Sequence, residues 1–283
     1  MKKLFALLMS LSLILALTAC GESQTDETAS NGDNSTQSEP VELYVFAAAS
    51  MEESLDQVIA DYEAAHEGIT IVPTYDSSGT LKTQIQEGAD CDVFISAAPK
   101  QMNQLDAQGG EENTEGLDFV ASNTRLDLLE NKVTLVVPEG NPKGIESFDQ
   151  LAQLLQSGDV LLAMGNSDVP VGQYTQKIFA YYGLDEAALA DAQVLSYGSN
   201  VKEVATQVAE AAVDCGVIYA TDAFSEGLTV VDEATSEMCG QVIYPAAVMK
   251  NSQHPDEAKA FLDYLSTDEA MAHFEGVGFS PIA

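Results

Sequence analysis

The chain is short of basic residues. It contains 11 Lys and Arg against 45 Asp and Glu, a formal net charge of -34 at pH 7. Nucleic-acid binding needs clusters of Lys and Arg that neutralise phosphates, so this composition excludes nucleic acid as a partner. A small anion is not excluded, because salt screens long-range repulsion over about 10 Å while local hydrogen-bond donors act at contact distance.

Cysteine and histidine are also scarce. The chain has four Cys and three His, and no group of them has the spacing of metal ligands. Cys91, Cys215 and Cys239 fall in the part of the chain that can fold, so at most one internal disulfide can form. Their spacing favours a Cys215–Cys239 pair, with Cys91 a buried free thiol.

The amino terminus has the pattern of a secretory leader. Met1-Lys2-Lys3 is positive, residues 4–17 are apolar but short for a membrane span, and Leu17-Thr18-Ala19-Cys20 resembles a lipoprotein signal-peptidase site. We expect residues 1–19 to be a signal peptide and Cys20 to be the lipidated first residue of the mature chain. An ordinary secretory signal with an incidental cysteine is the alternative. Both place the protein outside the cytoplasm, and lipidation would anchor it to the outer face of the cell membrane.

Residues 20–40 have too few apolar side chains to form a core. Ser, Thr, Asn, Gln, Gly, Asp and Glu make up nearly all of this segment, which is typical of a disordered tether. Residues 41–283 suffice for one large domain or two modest lobes. We predict a first lobe from residues 41–125 plus 250–283, and a second lobe with the hinge crossings from residues 126–249.

Short apolar strands alternate with helical periodicity along this folded part. A strand–helix–strand–helix–strand series runs from Leu43 to Ser96, and a similar series begins at Val133. This alternation predicts two α/β lobes, each a mostly parallel sheet flanked by helices. Two apolar runs, residues 133–137 and 242–249, are expected to be the two hinge crossings that join the lobes.

Several strand–helix junctions carry hydrogen-bond donors. Ser50 follows the first strand, Ser78 opens the second helix, and Tyr219 closes a strand of the second series. The first amides of a helix lack partners within it and carry partial positive charge, so such junctions bind anions. Ser50 with Glu53 forms an S-x-x-E capping box, and Asn200 with Glu203 a looser one. Taken singly, each serine is also explained as a plain helix cap and Tyr219 as a core aromatic.

Six segments together resemble a known family. Their order and spacing are similar to those of the extracytoplasmic molybdate-binding proteins of ABC importers, which have a type II periplasmic-binding-protein-like fold. The segments are Val45-Phe46-Ala47-Ala48-Ala49-Ser50, Ser77-Ser78-Gly79-Thr80-Leu81, Asp92-Val93-Phe94-Ile95-Ser96-Ala97, Val169-Pro170-Val171-Gly172-Gln173-Tyr174, Gly216-Val217-Ile218-Tyr219 and Tyr244-Pro245-Ala246-Ala247-Val248.

The resemblance implies a ligand site and a mechanism. The ligand would be bound by the hydroxyls and amides of Ser50 and Ser78, the amides of Val171 and Val201, and the hydroxyl of Tyr219. These groups would hold molybdate or tungstate through the anion's oxygens, with no cofactor and no side chain on the metal itself. Two lobes would close on the anion, and the closed protein would deliver it to an ABC permease.

Two departures from the family pattern lie near this site. Gly79 stands where a further serine is common, and the loop of residues 165–168 is one residue shorter. A dianion without a proton needs donors alone, which hydroxyls and amides supply, whereas phosphate rewards a carboxylate acceptor. We therefore expect Asp76, beside Ser77, to point away from the ligand and bind local backbone amides. Sulfate is also a fully ionised tetrahedral dianion and stays an alternative ligand.

Other classes of protein fit the sequence less well. A serine hydrolase would need a base near Ser50 or Ser78, but the chain has no G-x-S-x-G elbow, and its three histidines, at 66, 254 and 273, suit solvated helix positions. Tyr181-Tyr182 resembles the paired tyrosines of iron-binding relatives of this fold class, yet neighbouring apolar residues favour packing. An adhesion or scaffolding lipoprotein would not need matched donors in two lobes.

Overall fold

The computed structural model describes residues 40–282. The predicted signal peptide, Cys20 and nearly all of the predicted tether lie outside the described residues, so those predictions are untested. Within residues 40–282 no helix is long and apolar enough to cross a membrane.

Strands and helices alternate through most of the described chain. The strands are β1 (Val41–Ala48), β2 (Ile69–Asp76), β3 (Val93–Ile95), β4 (Leu126–Asn131), β5 (Val133–Val137), β6 (Leu162–Gly165), β7 (Leu195–Gly198), β8 (Cys215–Tyr219), β9 (Thr229–Glu233), β10 (Val242–Val248) and β11 (Ser280–Pro281). The helices are α1 (Glu52–Ala65), α2 (Ser78–Gln86), α3 (Pro99–Leu105), α4 (Phe148–Ser157), α5 (Pro170–Tyr182), α6 (Glu186–Asp191), α7 (Val201–Ala209), α8 (Ala220–Ser225), α9 (Ser236–Cys239), α10 (Pro255–Tyr264) and α11 (Asp268–Gly276).

The strands form two sheets, each the centre of one lobe. The first sheet has the order β11-β4-β10-β3-β1-β2 and the second the order β7-β6-β8-β5-β9. The predicted α/β fold with two helix-flanked sheets is confirmed, but both sheets are mixed. Strand β1 is parallel to β2 and β3, and β6 is parallel to β7 and β8, whereas β10, β4, β11, β5 and β9 pair antiparallel. The antiparallel pairs arise because the chain crosses between the sheets and returns.

The crossings do not coincide with the predicted runs. Strands β4 and β10 both belong to the first sheet, whereas the sequence predicts that residues 126–249 form the second lobe with the hinge crossings. One crossing is the short link between β4 and β5 at Lys132, and the other lies between β9 and β10. Strand β4 is difficult to predict from the sequence because it contains charged residues such as Asp127 and Glu130. Its pattern is that of a half-exposed strand and not of a buried apolar one.

Alternation along β1 explains how the first sheet is covered on both faces. Leu43, Val45 and Ala47 pack in the main core, which also contains Leu55 and Val58 of α1. Residue Phe46 points to the opposite face, in a smaller cluster with Leu81 and Ile85 of α2 and Phe94 of β3. Successive strand residues point to opposite faces, so an unbroken apolar run is what a strand covered by helices on both sides requires.

All three described cysteines are buried free thiols, so the predicted Cys215–Cys239 disulfide is wrong and the prediction for Cys91 is confirmed. Cys215 begins β8 and Cys239 ends α9, and both thiols are unbonded.

Candidate functional site

A small cavity lies where the two lobes meet, at the carboxyl ends of β1, β2 and β8. Its volume is only about 10 Å³. The first lobe contributes the end of β1, the end of β2 and the start of α2, and the second contributes the starts of α5 and α7 and the end of β8. The residues that line it are Ala48, Ala49, Ser50, Asp76, Ser77, Ser78, Ala97, Val169, Pro170, Val171, Val201 and Tyr219. All five predicted ligand residues, Ser50, Ser78, Val171, Val201 and Tyr219, are therefore brought together.

Ser50 lies in a short 3-10 turn, Ala49–Met51, between β1 and α1, and is buried. The predicted capping box with Glu53 is wrong, because no side chain caps α1 and Glu53 instead contacts Lys202 of the second lobe. The hydroxyl oxygen of Ser50 lies 2.8 Å from the phenol oxygen of Tyr244. The serine therefore belongs to a tertiary hydrogen-bond network rather than to a helix cap.

Ser78 is the first residue of α2, and its neighbour Ser77 is the cap, accepting from the amide of Thr80 at 3.2 Å. This division of roles frees the Ser78 hydroxyl for another use. Its oxygen accepts from the amide of Ala97 at 2.9 Å, and the side chain is buried. Because the oxygen already accepts, the hydroxyl proton is available to an anion in the cavity.

Tyr219 ends β8 and is only 1% exposed. Its phenol oxygen is buried and has no hydrogen-bond partner among residues 40–282. Burial, with smaller contributions from nearby ionisable groups such as Tyr244 and Tyr174, raises the pKa of Tyr219 well above its usual value. The phenol therefore stays protonated. Buried donors are nearly always hydrogen-bonded, so the unpaired Tyr219 hydroxyl is well suited to donate to an anion bound in the cavity.

The two valines contribute backbone at helix starts. Val171 is the second residue of α5, after Pro170, and Val201 is the first residue of α7. The Asn200 side chain caps α7 by accepting from the amide of Glu203 at 3.0 Å, and the Glu203 carboxylate accepts from the amide of Ser199 at 2.7 Å. The predicted cap by Asn200 is confirmed, but the reciprocal bond of a capping box is not formed, because Glu203 accepts from the amide of Ser199 and not from that of Asn200. First-turn amides and the helix dipole favour negative charge at both helix starts.

Asp76 takes the local role expected of it, although it also lines the cavity. One carboxylate oxygen accepts from the amide of Ser77 at 2.6 Å. The residue is half-buried at the end of β2 and is one of the residues that line the cavity.

The two places where the sequence departs from the family pattern, Gly79 and the loop of residues 165–168, lie against each other. Gly79 on α2 faces the backbone of Asp168 in the loop between β6 and α5, and a Cβ at position 79 would lie 2.1 Å from the Asp168 carbonyl oxygen. Only glycine permits this approach of the two lobes.

Sequence reasoning missed several polar residues around the cavity. Asn131 and Tyr244 of the first sheet and Thr221 of α8 form a buried network behind Ser50. Lys202 of α7 forms an ion pair with Glu53 of the first lobe, and the pKa of the buried Asp222 on α8 responds to both charges. Contacts between residues about a hundred positions apart have no local sequence signal. Among these missed residues, only Tyr244 belongs to a segment of the family resemblance.

The residues of the alternative functions lie elsewhere. None of the three histidines, all of them described, lines the cavity, and His273 instead pairs with Asp61 at 2.7 Å. Tyr181 is 51% exposed, and the Tyr182 hydroxyl donates to Asp149 at 2.8 Å. Among residues 40–282 no group of three or more His, Cys, Asp or Glu could hold a metal ion. The geometry thus favours anion binding by neutral donors over nucleophilic or metal chemistry.

The fold and the cavity between its lobes define a two-lobed solute-binding protein. Residues 43–280 match the family model described as bacterial extracellular solute-binding protein, and the chain belongs to that family. Within it, the chain is a type II periplasmic-binding-protein-like substrate-binding protein of an ABC transporter, so the predicted family resemblance is confirmed.

Known relatives share most of their length with this chain. YvgL of Bacillus subtilis (strain 168), provisionally named an ABC transporter substrate-binding lipoprotein, is 34% identical over 99% of this chain and 98% of its own. The molybdate-binding protein ModA of Haemophilus influenzae is 29% identical over 83% of this chain and 89% of its own. A solved structure, the periplasmic molybdate-binding protein of Azotobacter vinelandii, superposes with a TM-score of 0.70 at 20% identity, over 85% of this chain and all of that one.

Proposed function

We propose that this protein captures molybdate or tungstate and delivers it to an ABC permease, acting as a binding protein and not as an enzyme. The observation that carries the proposal is the convergence of Ser50, Ser78 and Tyr219 with two helix starts on one small cavity. Each of these groups is a hydrogen-bond donor that carries no positive charge. Similarity to ModA proteins supports molybdate as the anion.

Lobe closure is the proposed mechanism. The anion bridges donors from both lobes and shifts the population towards the closed arrangement, which docks on the permease. A lipid on Cys20 and the tether of residues 20–40 would hold the protein at the outer face of the cell membrane, close to that permease. Small-angle scattering should show compaction when molybdate is added, which a scaffolding lipoprotein would not undergo.

Competition calorimetry tests the ligand. Molybdate, tungstate, sulfate and phosphate are titrated into purified protein freed of bound anions. We expect molybdate and tungstate to bind most tightly and phosphate weakest. Tighter binding of sulfate would make the protein a sulfate-binding member of the same class, and binding of none of the four would overturn the proposal.

A single substitution tests the site. Ser78→Ala removes one hydroxyl that donates to a charged ligand, which should cost about 1.5 to 3 kcal/mol, or about ten- to a hundredfold in affinity. Ser157→Ala is the matched control, because Ser157 is an exposed serine at the end of α4. Equal affinity of both variants for molybdate would show that the site is misplaced.

A further inference from the structure

A chain of buried polar side chains runs from Ser50 away from the cavity. The Ser50 oxygen lies 2.8 Å from the phenol oxygen of Tyr244, which lies 3.2 Å from the amide nitrogen of Asn131. The same nitrogen donates to the Thr221 hydroxyl at 3.0 Å, and the Asn131 side-chain oxygen accepts from the backbone amide of Lys132 at 2.8 Å. Ser50, Asn131, Tyr244 and Thr221 are each at most 3% exposed.

The backbone fixes the direction of these hydrogen bonds. The amide of Lys132 can only donate, so the atom facing it must be the Asn131 oxygen, and the Asn131 nitrogen must face Tyr244 and Thr221. That nitrogen can only donate, so the phenol oxygen of Tyr244 accepts from it. The phenol proton then has one acceptor left among the described residues, the Ser50 oxygen. Leaving that buried proton unpaired would be costly, so Tyr244 donates to Ser50.

The consequence for Ser50 is a fixed proton direction. Its oxygen accepts from Tyr244, so its own proton is directed away from Tyr244 and remains for the cavity. Ser78 is held in the same sense, because its oxygen accepts from the amide of Ala97. Tyr219 has a proton without a partner in the described chain. The hydroxyls of Ser50, Ser78 and Tyr219 are thus each set as donors towards the cavity.

We propose that Asn131 and Tyr244 are positioning residues that lock Ser50 as a hydrogen-bond donor and thereby select oxyanions that carry no proton. The inference rests on the proposed function and names a cause for its selectivity. A serine free to rotate could accept a hydrogen bond from hydrogenphosphate as readily as it donates one to molybdate. With one lone pair of Ser50 engaged by Tyr244, Ser50 can accept from a ligand only if its own proton turns to a direction where no described residue accepts it. That arrangement leaves a buried donor unpaired and is costly, so a protonated oxyanion is disfavoured there.

Tyr244→Phe is the direct test, because it removes the phenol oxygen and leaves the ring packed. Molybdate and phosphate affinities are measured by calorimetry at pH 7. We expect the ratio of molybdate affinity to phosphate affinity to fall by about tenfold, through weaker molybdate binding and unchanged or tighter phosphate binding. Thr221→Val is the matched control: it removes the other acceptor of the Asn131 nitrogen, leaves the Tyr244–Ser50 bond intact, and should leave the ratio within about twofold of wild type.

A double-mutant cycle separates positioning from general loosening of the site. If Tyr244 acts through Ser50, Tyr244→Phe should no longer change the ratio in a Ser50→Ala background. An equal drop in both backgrounds would overturn the inference. Should Tyr244→Phe unfold in a thermal melt, Asn131→Leu takes its place, since it removes the donor that orients the phenol; the ratio should fall in the same direction.

The outcomes distinguish the two proposals. Wild-type protein that binds no oxyanion would end the proposed function itself. Wild-type protein that prefers molybdate, together with a weakened Ser78→Ala variant and an unchanged ratio in Tyr244→Phe, would retain the proposed function and refute only the positioning role.

Discussion

Lys202 of α7 and Glu53 of α1 form an ion pair between the two lobes. Lys202 directly follows Val201 at the cavity, its side chain is only 20% exposed, and its ammonium also lies 3.9 Å from the Glu52 carboxylate. The Glu53 carboxylate lies one turn beyond Ser50 along the chain. One of the few cations of an acidic protein therefore joins the elements that present two of the candidate ligand groups.

Lys202→Met should weaken anion binding by about tenfold at low salt, since it removes a cation near a dianion and leaves Glu52, Glu53 and Asp222 uncompensated. Calorimetry should show that the difference in molybdate affinity between Lys202→Met and wild type becomes smaller as the salt concentration rises. Lys259→Met is the control, because it removes an ion pair with Asp263 on the surface of α10. Similar losses in both variants would indicate a general effect of charge and not one of the lobe contact.

Asp76→Asn should strengthen molybdate binding. The asparagine oxygen can still accept from the Ser77 amide, as the carboxylate does at 2.6 Å, but the negative charge at the cavity wall is gone. We expect a gain of about two- to tenfold at low ionic strength, shrinking as salt is added. Asp90→Asn, on an exposed residue before β3, is the control for overall charge. A loss of affinity in Asp76→Asn would mean that the carboxylate itself supports the site.

The sequence located the elements that present backbone donors but not the contacts that orient them. Apolar runs and helix starts are local patterns, so the junctions at Ser50 and Ser78 could be predicted. Ser50 and Glu53 match the capping-box pattern. In the structure, however, Glu53 forms an ion pair with Lys202 and Ser50 forms a hydrogen bond with Tyr244, so neither side chain caps the helix. Tertiary hydrogen bonds between residues 50 and 244 leave no periodic signal. The mixed pairing of the sheets was missed for the same reason.

Gly79→Ala should impair closure without weakening the fold. A Cβ at this position would lie 2.1 Å from the Asp168 carbonyl oxygen in the facing lobe, so the lobes could not approach as they do here. Alanine is also the better helix former by up to about 1 kcal/mol, so the anion-free protein should melt at the same or a higher temperature. We expect molybdate affinity to fall at least about tenfold, with little compaction in small-angle scattering when the anion is added.

Gly276→Ala is the control for this glycine, because Gly276 ends α11 and a Cβ there meets no atom within 4 Å. It should change neither affinity nor compaction. Normal compaction in Gly79→Ala would show that the loop of residues 165–168 yields to the methyl group.

Asp222 should make the protein less stable as the pH rises. The side chain is 1% exposed, and its carboxylate has no hydrogen bond to another described residue. Burial raises the pKa of Asp222 from 3.8 to about 7; Lys202 opposes the shift and Glu53 adds to it. Between these two values the folded state holds a proton that the unfolded chain has lost. The free energy of unfolding therefore falls as pH rises through this window, and the full penalty is reached above pH 7.

Asp222→Asn removes the charge and should stabilise the protein by about 1 to 3 kcal/mol at pH 8, after the cost of burying an amide with few partners. Near pH 4 the wild-type side chain is protonated in the folded state, so the gain should disappear or change sign. Urea unfolding of both proteins at pH 4.5, 6 and 8 measures the difference. Glu210→Gln, on an exposed residue after α7, should show no such trend. A stability difference between wild type and Asp222→Asn that is constant with pH would mean that Asp222 does not gain a proton on folding.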